Sequence, residues 1–227
     1  MNHGALAIFV KTPGHSPVKS RLAVDCGVRY AEQWYRRAAA AVAAVAQQAQ
    51  ARFGVHAYWA VAEPAALDAD CWAGLPSITQ GEGGLGERMA HVQAQLVARH
   101  GHGVLLGADA PQLSLTPLGE ALQWLDAPQP RLALGPAADG GFWLFGANRA
   151  PPLAAWTSVR YSSSDTARAL RESLDSYGRW RTLATLADAD HRADLRAVLD
   201  ALQALPEPLP EQRALADWMR EQEGIPL

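Results

Sequence analysis

The sequence predicts a single-domain α/β chain, a three-layer sandwich in which a mostly parallel sheet carries helices on both faces. Short apolar runs recur at Ala5 to Val10, Val55 to Val61, Val104 to Leu106, Arg131 to Leu134 and Phe142 to Phe145. Stretches of helical length fall between and after them, and strands that alternate with helices argue for parallel pairing covered on both sides. No repeat, low-complexity tract or convincing boundary divides the 227 residues, of which 49 % are hydrophobic, ample for one buried core.

Each element has its own signal. Ala5 to Val10 is closed by Lys11, Pro13 and Gly14, as a buried strand entering a loop is. From about Arg29 to Arg52 the chain is Ala-rich without Gly or Pro and reads as one long helix. Val55 to Val61 is the second strand. A Gly-rich loop leads into a helix from about Gly86 to His100, and Val104 to Leu106 is the third strand. The next helix starts at Thr116-Pro117, where Thr can cap and Pro suits the first helical position. Arg131 to Leu134 and Phe142 to Phe145 are the fourth and fifth strands, followed by helices over roughly Asp165 to Tyr177 and Asp194 to Leu205. Pro206 to Pro210 is a stiff linker and the tail beyond it a short amphipathic helix. The chain thus divides into a main domain over 1–205 and a linker and helix over 206–227 packed on it.

Composition excludes several classes of partner. The formal net charge is -3 with acids and bases interspersed, so there is no basic footprint for nucleic acid. Cys26 and Cys71 show no metal-ligand spacing and read as free thiols. The N-terminal apolar run is too short for a signal peptide or a membrane span, so the expected location is cytoplasmic.

In open sheets of this kind, ligands sit beyond the carboxyl ends of the strands. Lys11, Lys19 and Arg21 lie on the loop after the first strand, where fixed positive charge and free backbone N–H groups suit a di- or triphosphate. The loop matches neither GxxxxGK[ST] nor GxGxxG, and a solvated surface loop is the alternative. Asp109 ends the third strand ahead of Pro111. It is placed to hold Mg²⁺ or Mn²⁺ beside bound phosphates, the alternative being a turn residue. Asp139-Gly-Gly141 reads as a hairpin turn or as a close approach of backbone to an acceptor or sugar hydroxyl. Gln80 to Met89 holds Gly83, Gly86 and Arg88 at the start of a helix, either a nucleotide-binding turn or a flexible connection. Asp188 and Asp190 could complete a metal site with Asp109, or cap the helix that follows.

Five segments resemble, in order, the rSAM/selenodomain-associated transferase 1 family, glycosyltransferases of the nucleotide-diphospho-sugar transferase superfamily with a GT-A-like fold. They are Lys11 to Leu22, Gln80 to Met89, Gly107 to Pro111, Gly135 to Gly141 and Asp188 to Leu195. The first loop is also similar to the start of 2-phospholactate guanylyltransferases. The resemblance implies that Lys19 and Arg21 contact nucleotide phosphates, that Asp109 is the metal aspartate, and that Asp190 supplies a second ligand. Lys11, Gly83, Gly86 and Arg88 would complete the nucleotide site, and Asp139, with Tyr161 and Ser162 nearby, would meet the acceptor. Ser16 and Gly84 depart from the pattern, which has Gly and Asp there. The implied activity is Mg²⁺- or Mn²⁺-dependent transfer from a nucleotide-sugar to a small-molecule acceptor. Nucleotidyl transfer from a nucleoside triphosphate with release of pyrophosphate is the first alternative, and a non-catalytic nucleotide-binding module the second. Base, sugar, acceptor and oligomeric state stay open.

Overall fold

The structure is a computed structural model and describes residues 4–222. The first half of the chain contains β1 (Ala5–Val10), α1 (Ser20–Cys26), α2 (Val28–Phe53), β2 (His56–Val61), β3 (Ser77–Thr79), α3 (Leu85–His100) and β4 (Gly103–Gly107). The second half contains α4 (Leu115–Leu125), β5 (Arg131–Pro136), β6 (Phe142–Ala147), α5 (Leu153–Thr157) and α6 (Thr166–Leu174). It ends with β7 (Arg179–Thr182), α7 (Leu195–Gln203) and α8 (Pro210–Gln222). The strands form one 7-stranded sheet in the order β3-β2-β1-β4-β6-β5-β7. β1 pairs parallel with β2 and β4, β2 with β3, and β5 with β7, whereas β6 runs antiparallel to β4 and β5.

The apolar runs are continuous because both faces of the sheet are covered. Alternation with period 2 sends Leu6, Ile8 and Val10 of β1 into one layer and Ala5 and Ala7 into the other. The first layer is filled by α2, α4, α7 and α8, and the second by α3, α5 and α6. Ala31, Ala38, Ala39, Val42 and Ala46 of α2 are buried, and such small side chains let a long helix lie close against the sheet.

Several expectations need correction. The long helix is preceded by α1, and the two are separated at Gly27, whose φ of 89° and ψ of 150° interrupt the helical path. α4 begins at Leu115 with Ser114 at the cap position, so Thr116 does not cap. Pro117 falls within the first turn, where backbone N–H groups have no intrahelical partner and its missing donor costs nothing. β3, β7 and α5 are additional short elements.

The C-terminal helix is stitched to the rest of the fold. Leu215, Trp218 and Met219 of α8 are buried in the first layer. The buried Gln212 amide donates to the Pro111 and Leu113 carbonyls, at 2.8 Å each. Gln212→Leu strips both carbonyls of this donor, and its expected cost is about 2 kcal/mol in urea unfolding. A loss below about 0.5 kcal/mol would show that the stitch is dispensable.

Candidate active site at the sheet's switch point

The connection from β1 leads through α1 and α2 to β2 on one side, while β4 flanks β1 on the other. The crevice beyond the carboxyl ends of β1 and β4 is therefore a topological switch point. β6 runs against its neighbours, so the hairpin that joins β5 to it also reaches this edge.

The first loop is braced from beneath. The Lys11 N–H donates to the Tyr35 hydroxyl at 3.0 Å and the Thr12 N–H to Glu63 Oε2 at 2.8 Å. The Trp72 indole N–H donates to Thr12 Oγ1 at 2.9 Å. Burial works to raise the Glu63 carboxyl, but hydrogen bonds from Ser16 and Thr12 outweigh it and hold the group low. Ser16 of this loop thus has a partner in Glu63, just beyond β2. Lys19, with φ 44° and ψ 49°, sits in the left-handed region at the start of α1. That conformation costs a non-glycine residue about 1–2 kcal/mol, and such strain concentrates at functional sites.

Lys19 Nζ lies 2.8 Å from Asp109 Oδ2 and 2.9 Å from Asp190 Oδ1, and Arg21 Nη1 lies 2.9 Å from Asp190 Oδ2. The Lys19 side chain is 6 % exposed. Burial alone would lower its pKa, but the Asp109 and Asp190 carboxylates outweigh it and hold the ammonium charged far above neutrality. Asp190 is likewise held below the usual carboxylate range, because Lys19 and Arg21 overcome its desolvation. A Cβ on Gly107 would approach Asp109 Oδ1 to 2.9 Å, so the bare glycine leaves this carboxylate its place.

More acids gather beside this pair. Beyond β7 the chain keeps bonding alongside β5, with Leu183 N–H to Leu134 O, Leu186 N–H to Pro136 O and Ala138 N–H to Leu186 O. Alternate residues of extended chain share a face, and Asp188 and Asp190 both arrive at the crevice. Carboxylate oxygens of Asp139, Asp188 and Asp190 lie within 4.8 Å of one another. Asp194 plays a different part: its Oδ2 accepts from the Asp190 and His191 N–H groups and shapes the turn. Asp139 is a hairpin residue and a cleft residue at once, since its Oδ1 also accepts from the Gly141 N–H at 2.7 Å.

Asp188, a candidate metal ligand in the sequence beside Asp190, thus stands in the same carboxylate cluster. Burial first, then repulsion from Asp139 and Asp109, pushes its carboxyl up to about 6. The folded chain therefore holds this proton more tightly than the unfolded chain. Stability falls as pH rises from about 4 to about 6, and the penalty is complete above that window. Asp188→Asn is expected to raise the melting midpoint at pH 7.5 in metal-free buffer by an amount equivalent to about 1 kcal/mol, after discounting for solvent screening. The gain should shrink towards pH 4; a gain independent of pH would rule out this origin.

The cleft has two joined lobes. The inner one, of ≈ 300 Å³, is walled by Phe9, Met89, Phe142, Trp143 and Tyr161 and floored by Asp109, Asp139, Asp188 and Asp190. The outer one gathers Lys11, Lys19, Arg21 and Tyr35 against Asp109, Asp139 and Asp190. Ser162, with φ 59°, lines both. Gly83, Gly86 and Arg88 line neither; Leu85 and Met89 of the same turn face the inner lobe. A Cβ on Gly86 would meet the Trp156 carbonyl oxygen and the Tyr161 ring at 2.8 Å, while Arg88 Nε donates to the Gly83 carbonyl at 2.9 Å. Glu87 Oε2 accepts from the Gly84 N–H, bringing a carboxylate close to the position where Gly84 lacks one.

Four carboxylates at one crevice suit a hard divalent cation with oxygen ligands, and the Lys19 ammonium already stands as a cation between two of them.

Residues 41–163 match the family model described as "Uncharacterized protein conserved in bacteria (DUF2064)". The chain belongs to this family. Among solved structures, this DUF2064 member is similar over 98 % of both chains to a protein of Desulfovibrio desulfuricans G20 described as a "putative nucleotide-diphospho-sugar transferase". The identity is 25 % and the TM-score 0.79. It shares its fold with 4-diphosphocytidyl-2C-methyl-D-erythritol synthase of Anaerococcus prevotii DSM 20548 (9 % identity, 88 % and 97 % of the chains, TM-score 0.51). It shares it also with Rv0371c of Mycobacterium tuberculosis H37Rv (16 % identity, 86 % and 97 % of the chains, TM-score 0.50). No curated protein matches the sequence. Among the described residues, no helix of this DUF2064 chain is long and apolar enough to cross a membrane.

Proposed function

We propose that the chain is a divalent-metal-dependent transferase that takes a nucleotide-sugar as donor and passes its glycosyl group to a small-molecule acceptor. The observation that carries this reading is the meeting of Lys19 and Arg21 with Asp109 and Asp190 at the switch point, open to one cleft. A metal–diphosphate needs that composition: carboxylates for the ion and cations for the phosphate oxygens. An ion pair with a purely structural role has no use for Asp139 and Asp188, which add repulsion beside it.

In this reading Asp109 and Asp190 would hold Mg²⁺ or Mn²⁺, and Asp139 and Asp188, whose carboxylate oxygens lie within 4.8 Å of one of Asp190, line the same cleft. When bound, the metal offsets charge that builds on the leaving diphosphate. Lys19 and Arg21 turn to the phosphate oxygens, with Lys11 at the rim of the same lobe. The acceptor enters the inner lobe near Asp139, Tyr161 and Ser162. The five motifs that resemble the rSAM/selenodomain-associated transferase 1 family support the reading, as does the full-length likeness to the Desulfovibrio protein.

The test is a thermal-shift panel of nucleotide-sugars, nucleoside diphosphates and nucleoside triphosphates, each with and without Mn²⁺ or Mg²⁺. A ligand at about a hundred times its dissociation constant adds roughly 2.7 kcal/mol to the folded state. Metal-dependent stabilisation by one nucleotide-sugar supports glycosyl transfer and names the donor. Preference for a triphosphate, with release of pyrophosphate, replaces it by nucleotidyl transfer. No stabilisation by any member sinks the nucleotide reading.

A further inference from the structure

We infer that Lys19 sets which form of ligand the site accepts, closing the Asp109–Asp190 pair to a free divalent ion and opening it to the same ion carried on a phosphate group. The inference rests on the metal–nucleotide reading above and goes beyond it by assigning a selection step to one residue.

The ammonium of Lys19 lies 2.8 Å from one carboxylate oxygen and 2.9 Å from the other. An ion shared by Asp109 and Asp190 and the ammonium cannot occupy that space together, so metal entry requires Lys19 to leave. Departure without a new partner is unfavourable. The side chain is 6 % exposed, so the charge would be stranded in a largely buried place, and leaving also gives up the attraction of the Trp34 ring, whose centroid lies 5.6 Å from Nζ. Arg21, the other cation on Asp190, is 57 % exposed and moves into water freely. Lys19 is therefore the barrier to a free ion at the Asp109–Asp190 pair.

A phosphate group changes the balance. Lys19 and Arg21 line the same outer lobe as Asp109 and Asp190. A diphosphate entering that lobe offers the ammonium new oxygens while the ion takes the two carboxylates, so each ligand removes the obstacle to the other. The coupling is reciprocal: phosphate must tighten metal binding by the factor by which metal tightens phosphate binding.

The experiment titrates Mn²⁺ alone into the full chain, reading free Mn²⁺ by electron paramagnetic resonance, for wild type, Lys19→Met, Lys19→Gln and Lys19→Arg. Methionine keeps an unbranched apolar stem as far as Cε, drops the charged Nζ and takes on the same left-handed backbone strain as lysine. Lys19→Met and Lys19→Gln are expected to bind Mn²⁺ at least tenfold more tightly than wild type, and Lys19→Arg to stay weak. Asp109→Asn in the Lys19→Met background should cancel the gain, which locates the ion at this pair, because Asp109 stands outside the Asp139, Asp188 and Asp190 cluster. Adding the nucleoside diphosphate that the thermal-shift panel selects should tighten Mn²⁺ in wild type by a larger factor than in Lys19→Met.

Lys19→Met and Lys19→Gln that are folded by circular dichroism yet bind Mn²⁺ no more tightly than wild type overturn the inference. If wild type then still binds nucleotide with Mn²⁺, the proposed function survives that result. Conversely, tightened binary Mn²⁺ binding with no nucleotide binding at all would leave Lys19 as the barrier and remove the transferase reading.

Discussion

Asp109→Asn is expected to abolish metal-dependent stabilisation by nucleotide, lowering affinity for the metal–nucleotide complex at least a hundredfold, about 2.7 kcal/mol. The asparagine keeps the shape and one acceptor but removes the charge that both the ion and Lys19 use. The fold should persist, because Lys19 retains Asp190 at 2.9 Å and the Asp109 side chain is already 36 % exposed. A stability loss of about 1–2 kcal/mol without ligand is the expected companion effect. Comparing melting midpoints with and without Mn²⁺ and nucleotide separates the two effects. An asparagine variant that kept the full metal-dependent shift would remove Asp109 from the site.

Gly140→Ala carries the largest expected cost of any methyl-sized change near the cleft. Gly140 has a φ of 88°, and a Cβ there would fall 1.9 Å from the Ser164 carbonyl oxygen. Neither side can yield cheaply, because the Gly140 carbonyl also accepts from the Ala167 N–H at 2.9 Å, at the start of α6. Left-handed backbone and the forced separation together should cost about 3 kcal/mol or more. The separation also displaces Asp139 from Asp188 and Asp190, so metal affinity should fall along with stability. Urea unfolding and Mn²⁺ titration read the two losses; a stability loss under about 1 kcal/mol would show that hairpin and loop are not locked together.

Much of this architecture is legible in the residues, and the exceptions have physical causes. β1 and α2 announce themselves, one as an unbroken apolar run and the other as a long stretch without Gly or Pro. β3 is Ser77-Ile-Thr79 and β7 is Arg179-Trp-Arg-Thr182, too short and polar to show a period. Their extended form comes from parallel pairing to β2 and β5. The reversed direction of β6 was readable from the chain length between Pro136 and Phe142, since a parallel crossover needs a dozen residues or more. Lys19, on the loop after β1, and Asp109, at the end of β4, were recognisable from their place after a strand. Asp188 and Asp190 were recognisable as a carboxylate pair, but the way they reach the site was not, because nothing in the local sequence says that the chain past β7 continues along β5. Their spacing of two was the available signal. The glycines of the loop before α3 read as ligand-binding features, yet Gly86 serves the close approach of Trp156 and Tyr161.

The ion pair that closes the cleft also has a place in time. Lys19 and Asp190 are 171 residues apart in the chain, and Lys19 and Asp109 are 90 apart. Loop closure over such lengths must come before these contacts can reward it, and topologies rich in distant contacts fold slowly. Until Lys19 arrives, the carboxylates of Asp109 and Asp190 have no ammonium between them. Refolding should therefore recover helical signal before the ability to bind Mn²⁺ with nucleotide, and recovery of ligand binding would mark the moment when Lys19 meets Asp109 and Asp190.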